Sequence, residues 1–97
     1  MIFLYDLNEE SEKFEEIEIK ENVPLFEVLD SDKILLFVDM HNEKVWVWEG
    51  KNTSTRLKFI STQEAPKIRD KYDLSFTISS VDDGDETAAF KILVGLV

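Results

Sequence analysis

Ninety-seven residues, 43% of them apolar, support one hydrophobic core and not two, so residues 1–97 are expected to form a single domain. With no cysteine there is neither a disulfide framework nor a thiolate metal site, and a lone histidine, His41, excludes His-based zinc clusters and Ser-His-Asp triads. A net charge of −10 opposes nonspecific binding to nucleic acid or to an anionic membrane.

The charge is unevenly spread. Residues 1–32 contain many acids and only Lys13 and Lys20 as bases, whereas residues 50–71 carry Lys51, Arg56, Lys58, Lys67, Arg69 and Lys71 against Glu64 and Asp70. Apolar runs such as Ile34–Val38 are short, and the N-terminal segment turns acidic too quickly for a signal peptide. The expectation is a soluble, cytoplasmic protein, monomeric on its own, with no membrane insertion and no nucleic-acid partner.

In chain order, Ile2–Asp6 reads as a first strand. Lys13–Glu21 reads as a second, wetted on one side and near an edge, because Ile17 and Ile19 alternate with charge. Pro24 can open a short helix over residues 24–29, since a first-turn proline sacrifices no helical bond. Lys33–Asp39 and Lys44–Gly50 are apolar at consecutive positions, so both faces of each strand need cover; residues 40–43 form the hairpin between them. Trp46 and Trp48 then share one face, and Val45 and Val47 the other.

After Gly50, Asn52, Thr53 and Ser54 offer helix caps, and Leu57, Ser61, Ala65, Ile68 and Tyr72, flanked by Ile60, follow at helical spacing. That is an amphipathic helix of roughly five turns. Pro66 is expected to kink it or end its bonding early, at a cost of about 3 kcal/mol if fully interior. Leu74–Val81 reads as a strand with Leu74, Phe76 and Ile78 inward. Residues 81–86 form a turn with Gly84 at positive φ, and residues 86–96 a short helix covering the second face. On the long helix, Phe59, Gln63, Pro66 and Asp70 make a second stripe roughly opposite the first, with Arg56 and Thr62 beside it. From pattern alone this is either a solvated face with one stray phenylalanine or a docking face.

Four blocks, "IFLYDLNE", "PLFEVLDSDKILLFVD", "VWVWEGK" leading into the long helix, and "GDETAAFKIL", together resemble one repeat of the gelsolin/villin family over essentially the whole chain. The resemblance implies an α+β fold, a five-stranded mixed sheet between one long and one shorter helix. It also implies binding to actin or an actin homologue, with the long helix in the cleft between two actin subdomains, and control of assembly through monomer or filament-end binding without catalysis. Arg56, Phe59, Thr62, Gln63, Pro66 and Asp70 would then be the partner face, with Phe59 as anchor and Arg56, Lys58 and Lys67 steering an acidic partner.

The same resemblance implies a calcium site built from Asn8, the Ser31 carbonyl and Asp32 or Lys33 before the central strand, and a helix glutamate. Leu57 stands at the glutamate position, so Ca2+ is expected to bind there weakly or not at all, and otherwise at the actin interface with Asp70. Gelsolin-like domains also serve as assembly modules in vesicle-coat proteins without binding actin, which is the alternative reading.

Other constellations fail on chemistry. Residues 6–17 mimic an EF-hand loop but have Ser11 at its glycine and Ile17 at its bidentate glutamate. Residues 82–86 read as a solvated acidic turn. The many carboxylates are joined to no nucleophile, base and pocket, and the glycines form no phosphate loop.

Overall fold

Two strands buried on both faces decide the architecture. In the computed structural model, which describes residues 1–97, every residue of β3 (Ile34–Asp39) is buried, as are the four inner residues of β4 (Lys44–Glu49). Neither strand can face water on either side, so each must lie inside a sheet with layers above and below. The other strands are β1 (Ile2–Asn8), β2 (Lys13–Ile17) and β5 (Thr77–Asp82), and the sheet order is β2-β1-β3-β4-β5. All neighbours are antiparallel except β4 and β5, which run parallel and are joined through α1 (Thr55–Tyr72). The short helix α2 (Ala88–Val94) completes an α+β fold with a five-stranded mixed sheet, as expected from the sequence.

The two covers bury the two faces predicted for the β4 residues. Val45 and Val47 join Tyr5, Ile34, Leu36 and Val38 beneath Ala65 and Ile68 of α1. Trp46 and Trp48 join Leu4, Leu35 and Phe37 beneath Phe90 and Val94 of α2. Phe90 meets Phe37 and Trp46 edge-on, with ring centroids 5.5 and 5.8 Å away, an arrangement that aligns ring quadrupoles favourably. The Thr87 hydroxyl accepts from the Phe90 N–H to start α2, and Gly95, at φ 86°, ends it in a conformation that costs side-chain-bearing residues more.

Several boundaries differ from expectation. β1 extends to Asn8, and β2 stops at Ile17 as a charged edge strand that buries only Phe14. Pro24 caps a single 3-10 turn, Leu25–Val28, and is not its first residue. β5 begins at Thr77, so Phe76 is buried before the strand starts and Leu74, expected inward, is 73% exposed. Pro66 does not end α1, which continues unbroken to Tyr72. The stripe of Ser61, Ala65 and Ile68, flanked by half-buried Leu57, Ile60 and Tyr72, anchors the helix on both sides of the proline, which explains how packing overrides one missing backbone bond. No helix is long and apolar enough to cross a membrane.

Candidate partner-binding face

α1 is aimed by a junction at one end of the sheet. Gly50 follows β4 directly and lies so close to the preceding loop that a Cβ there would stand 2.4 Å from the Ser31 carbonyl oxygen and 2.5 Å from that of Lys33. Only glycine allows that approach. The Gly50 N–H donates to the Lys33 carbonyl at 2.9 Å, and the Asn52 N–H to the Ser31 carbonyl at 2.9 Å. The Asn52 side chain donates to Asp32 at 3.0 Å, and the Thr53 hydroxyl to the Gly50 carbonyl at 2.6 Å. Ser54 then caps the helix, its hydroxyl accepting from the Leu57 N–H at 3.1 Å.

A third segment closes on the same junction. Asp83 accepts from the Ser31 hydroxyl at 2.6 Å and from the Lys51 N–H at 3.0 Å. The Ser31 bond, followed by that from Lys51, holds the Asp83 carboxyl below its ordinary value despite some burial. Three residues on, Glu86 accepts from the Trp48 indole N–H at 2.9 Å. Burial pushes the Glu86 carboxyl upward, but the bonds from Trp48 and from nearby backbone N–H groups outweigh it and leave the carboxyl lowered. Residues 82–86, expected to be a solvated acidic turn, therefore tie the start of α1 and the core tryptophan to the end of β5. Sequence reading missed Asp83 because its partner Ser31 is 52 residues away.

The outer stripe of α1 faces away from the sheet. Phe59 is 54% exposed. Arg56, Thr62, Gln63 and Asp70 are also exposed and Pro66 is half-buried, so the structure brings all six residues onto one side of the helix. From Phe59 to Asp70 the stripe is about 16 Å long at 1.5 Å per residue. Less basic than its sequence suggests, it has Arg56 bonded to Glu12 and 4.0 Å from Glu9 across the β1–β2 turn. Lys67 pairs with Glu64 at 2.7 Å, and Arg69 with Asp70 at 3.0 Å. These pairs engage Arg56, Lys67 and Arg69 but not Lys51, Lys58 or Lys71, so the steering field of the segment is reduced and not abolished.

Elsewhere, a concavity of about 410 Å³ beside α2 is lined by Asp39, Asn42, Lys44, Trp46, Ala89 and Ile92. Its buried Asp39 accepts from the Asn42 N–H and side-chain amide at 3.2 and 2.7 Å, and the Trp46 indole N–H has no protein partner. It joins no nucleophile to a base.

No family model matches the sequence, nor does any curated protein. Solved structures do. Thorarchaeota ProGel, crystallised in complex with rabbit actin, matches with a TM-score of 0.80 at 24% identity, over 98% of this chain and 100% of that one. The fold is gelsolin-like. Thorarchaeota 2DGel3, also crystallised in complex with rabbit actin, matches with a TM-score of 0.66 at 24% identity, over 92% of this chain and 43% of that one.

The residues at the calcium positions expected for such a fold do not fit the ion. Asn8 accepts from the backbone N–H groups of Glu10 and Ser11 at 2.9 and 3.0 Å and donates to Glu15 at 3.1 Å, so it caps its own turn. The Ser31 carbonyl and Asp32 are both bonded to Asn52, and the Lys33 ammonium is 3.4 Å from Asp6. Leu57 packs against the core. No three acidic or histidine side chains converge as a metal-binding group. Asp70, expected at an actin interface, is paired through Oδ1 with the adjacent Arg69.

Proposed function

We propose that this chain binds actin or an actin homologue through the outer face of α1 and modulates assembly by occupying monomers or filament ends, with no catalysis of its own. The observation that carries the reading is Phe59, an aromatic side chain 54% exposed near the N-terminal end of a stripe on the longest helix. A large aromatic left in water is stabilised when a partner's apolar cleft removes it from solvent, and buried aromatics carry much of the energy of such interfaces. The reading is further supported by the fold shared with two proteins crystallised with actin.

In this arrangement α1 lies in a groove of the partner as an amphipathic helix whose two stripes do different work. Ser61, Ala65 and Ile68 hold it to the sheet. Phe59 enters the cleft, Gln63 and Thr62 offer amide and hydroxyl bonds at its margin, and Pro66 adds rigid apolar surface. Arg56 and Asp70 lie at the two ends, each already paired within the chain. Exposed ion pairs are worth about 0–1 kcal/mol, so exchanging either for a partner's charge costs little.

Actin polymerisation followed with increasing amounts of the protein tests the proposal. The expected result is a dose-dependent change in assembly that is much reduced for Phe59→Ala at unchanged melting temperature. Unaltered assembly at concentrations well above that of actin would overturn it and favour an assembly module of the vesicle-coat kind.

A further inference from the structure

We propose that the junction launching α1 is fixed by the protein's own hydrogen-bond donors in the role that a divalent cation would otherwise fill, so the domain folds and presents α1 without calcium. The argument is an inventory of oxygen atoms. Calcium takes about six to eight oxygen ligands converging on one point, and no three acidic side chains converge here. At this junction donors already hold the Ser31 carbonyl and one oxygen of each of Asp32 and Asp83 in place. The Ser31 carbonyl and the Asp32 carboxylate are bonded to the backbone and side-chain N–H groups of Asn52. One Asp83 oxygen is bonded to both the Ser31 hydroxyl and the Lys51 N–H. Asn8 serves its own turn.

Nearby carboxylates that could approach a cation are paired with bases on the same segments. Arg56, in the first turn of α1, bridges Glu12 and Glu9, and Lys33 lies beside Asp6. Leu57, where a ligating carboxylate would be needed, contributes apolar packing instead. Asp83 accordingly plays a part that the acidic turn alone did not suggest: it joins the loop before β3, the loop after β4 and the turn after β5. Its lowered pKa accords with a carboxylate satisfied by donors.

Thermal unfolding of the full chain, in chelator and in millimolar calcium, tests the inference. The expected melting temperatures agree within about a degree. A site filled a hundredfold above its dissociation constant would raise the melting temperature by on the order of 10 °C for a domain of this size, and such a rise would overturn the proposal. A second pair of variants isolates the clasp. Ser31→Ala and Asp83→Asn should each lower the melting temperature by about 5 °C in both buffers. Restoration of either by calcium would show that a cation can take the clasp's place and would also overturn it. This readout uses the free domain, so a failure to bind actin would count against the function proposed above and not against this inference.

Discussion

α2 and α1 cover opposite faces of one sheet and differ in what they leave outside. α2 has seven residues; it buries Phe90 and Val94 against the tryptophan side of β4, and only Ile92 among its large side chains stands well out in water, at 69% exposure. α1 has eighteen residues and fully buries Ser61, Ala65 and Ile68, which leaves a long outer surface. A short cover with a large aromatic supplies core packing, whereas a long cover anchored by a narrow buried stripe still offers an outer face. Stability should therefore be most sensitive beneath α2, and partner binding most sensitive on α1.

The largest expected effect is on the α2 side. Phe90→Ala removes a fully buried ring from between Phe37 and Trp46 and should cost about 3–5 kcal/mol, read as a large fall in the denaturation midpoint. If instead it weakened actin binding at full stability, the division between the covers would fail. On the α1 side, Phe59→Ala should weaken actin binding by about 2 kcal/mol or more, roughly 30-fold, with the melting temperature hardly moved. A calorimetric titration that found full affinity, or a melting curve that collapsed, would return Phe59 to the ordinary surface or the core.

Smaller effects sharpen the account of how α1 is launched. Ser54→Ala removes the cap on the Leu57 N–H and should lower stability by about 1 kcal/mol, measured by urea unfolding. Glu49, at the end of β4, has its carboxyl pushed up, first by burial and then by the negative charge of Asp82, with Lys58 opposing. Because the folded pKa is raised, ionised Glu49 reduces stability above that pKa, and the penalty disappears as pH falls below the unfolded value near 4.5. Glu49→Gln should thus raise the melting temperature slightly at pH 7 and leave it unchanged near pH 3. Asp83 has the opposite sign: its lowered pKa contributes stability above the unfolded value of 3.8, lost as pH falls through the folded one. An equal gain from Glu49→Gln at both pH values would assign the effect to packing.

Much of this was legible in the residues. The unbroken apolar runs of β3 and β4 required a sheet covered on both faces, and the alternation of Val45, Trp46, Val47 and Trp48 assigned their sides. The spacing of Leu57, Ser61, Ala65, Ile68 and Tyr72 identified the inner face of α1, and Phe59 was outside it as expected. What escaped depended on tertiary contacts. Leu74 has strand propensity but sits in a turn that bonds Ser75 to Asp73, where local side-chain bonding competes with the ladder. Pro66 is tolerated because side chains on both sides of it hold the helix. The pairing of Arg56 with Glu12 and the bond between Ser31 and Asp83 join groups distant in sequence, whose proximity the pattern did not reveal.

The parallel pairing of β4 with β5 has a kinetic consequence. Lys44 sits opposite Thr77, so this edge of the sheet cannot zip from a tight turn and must wait for the intervening chain, most of it α1, to return. Closing such a loop carries an entropic cost before any ladder bond offsets it, which makes this docking a natural late step in folding. The helix proposed to meet the partner is therefore the strap across that closure. A bound partner would hold the strap in place, slow the release of β5, and be visible as slower amide exchange along a strand it never touches.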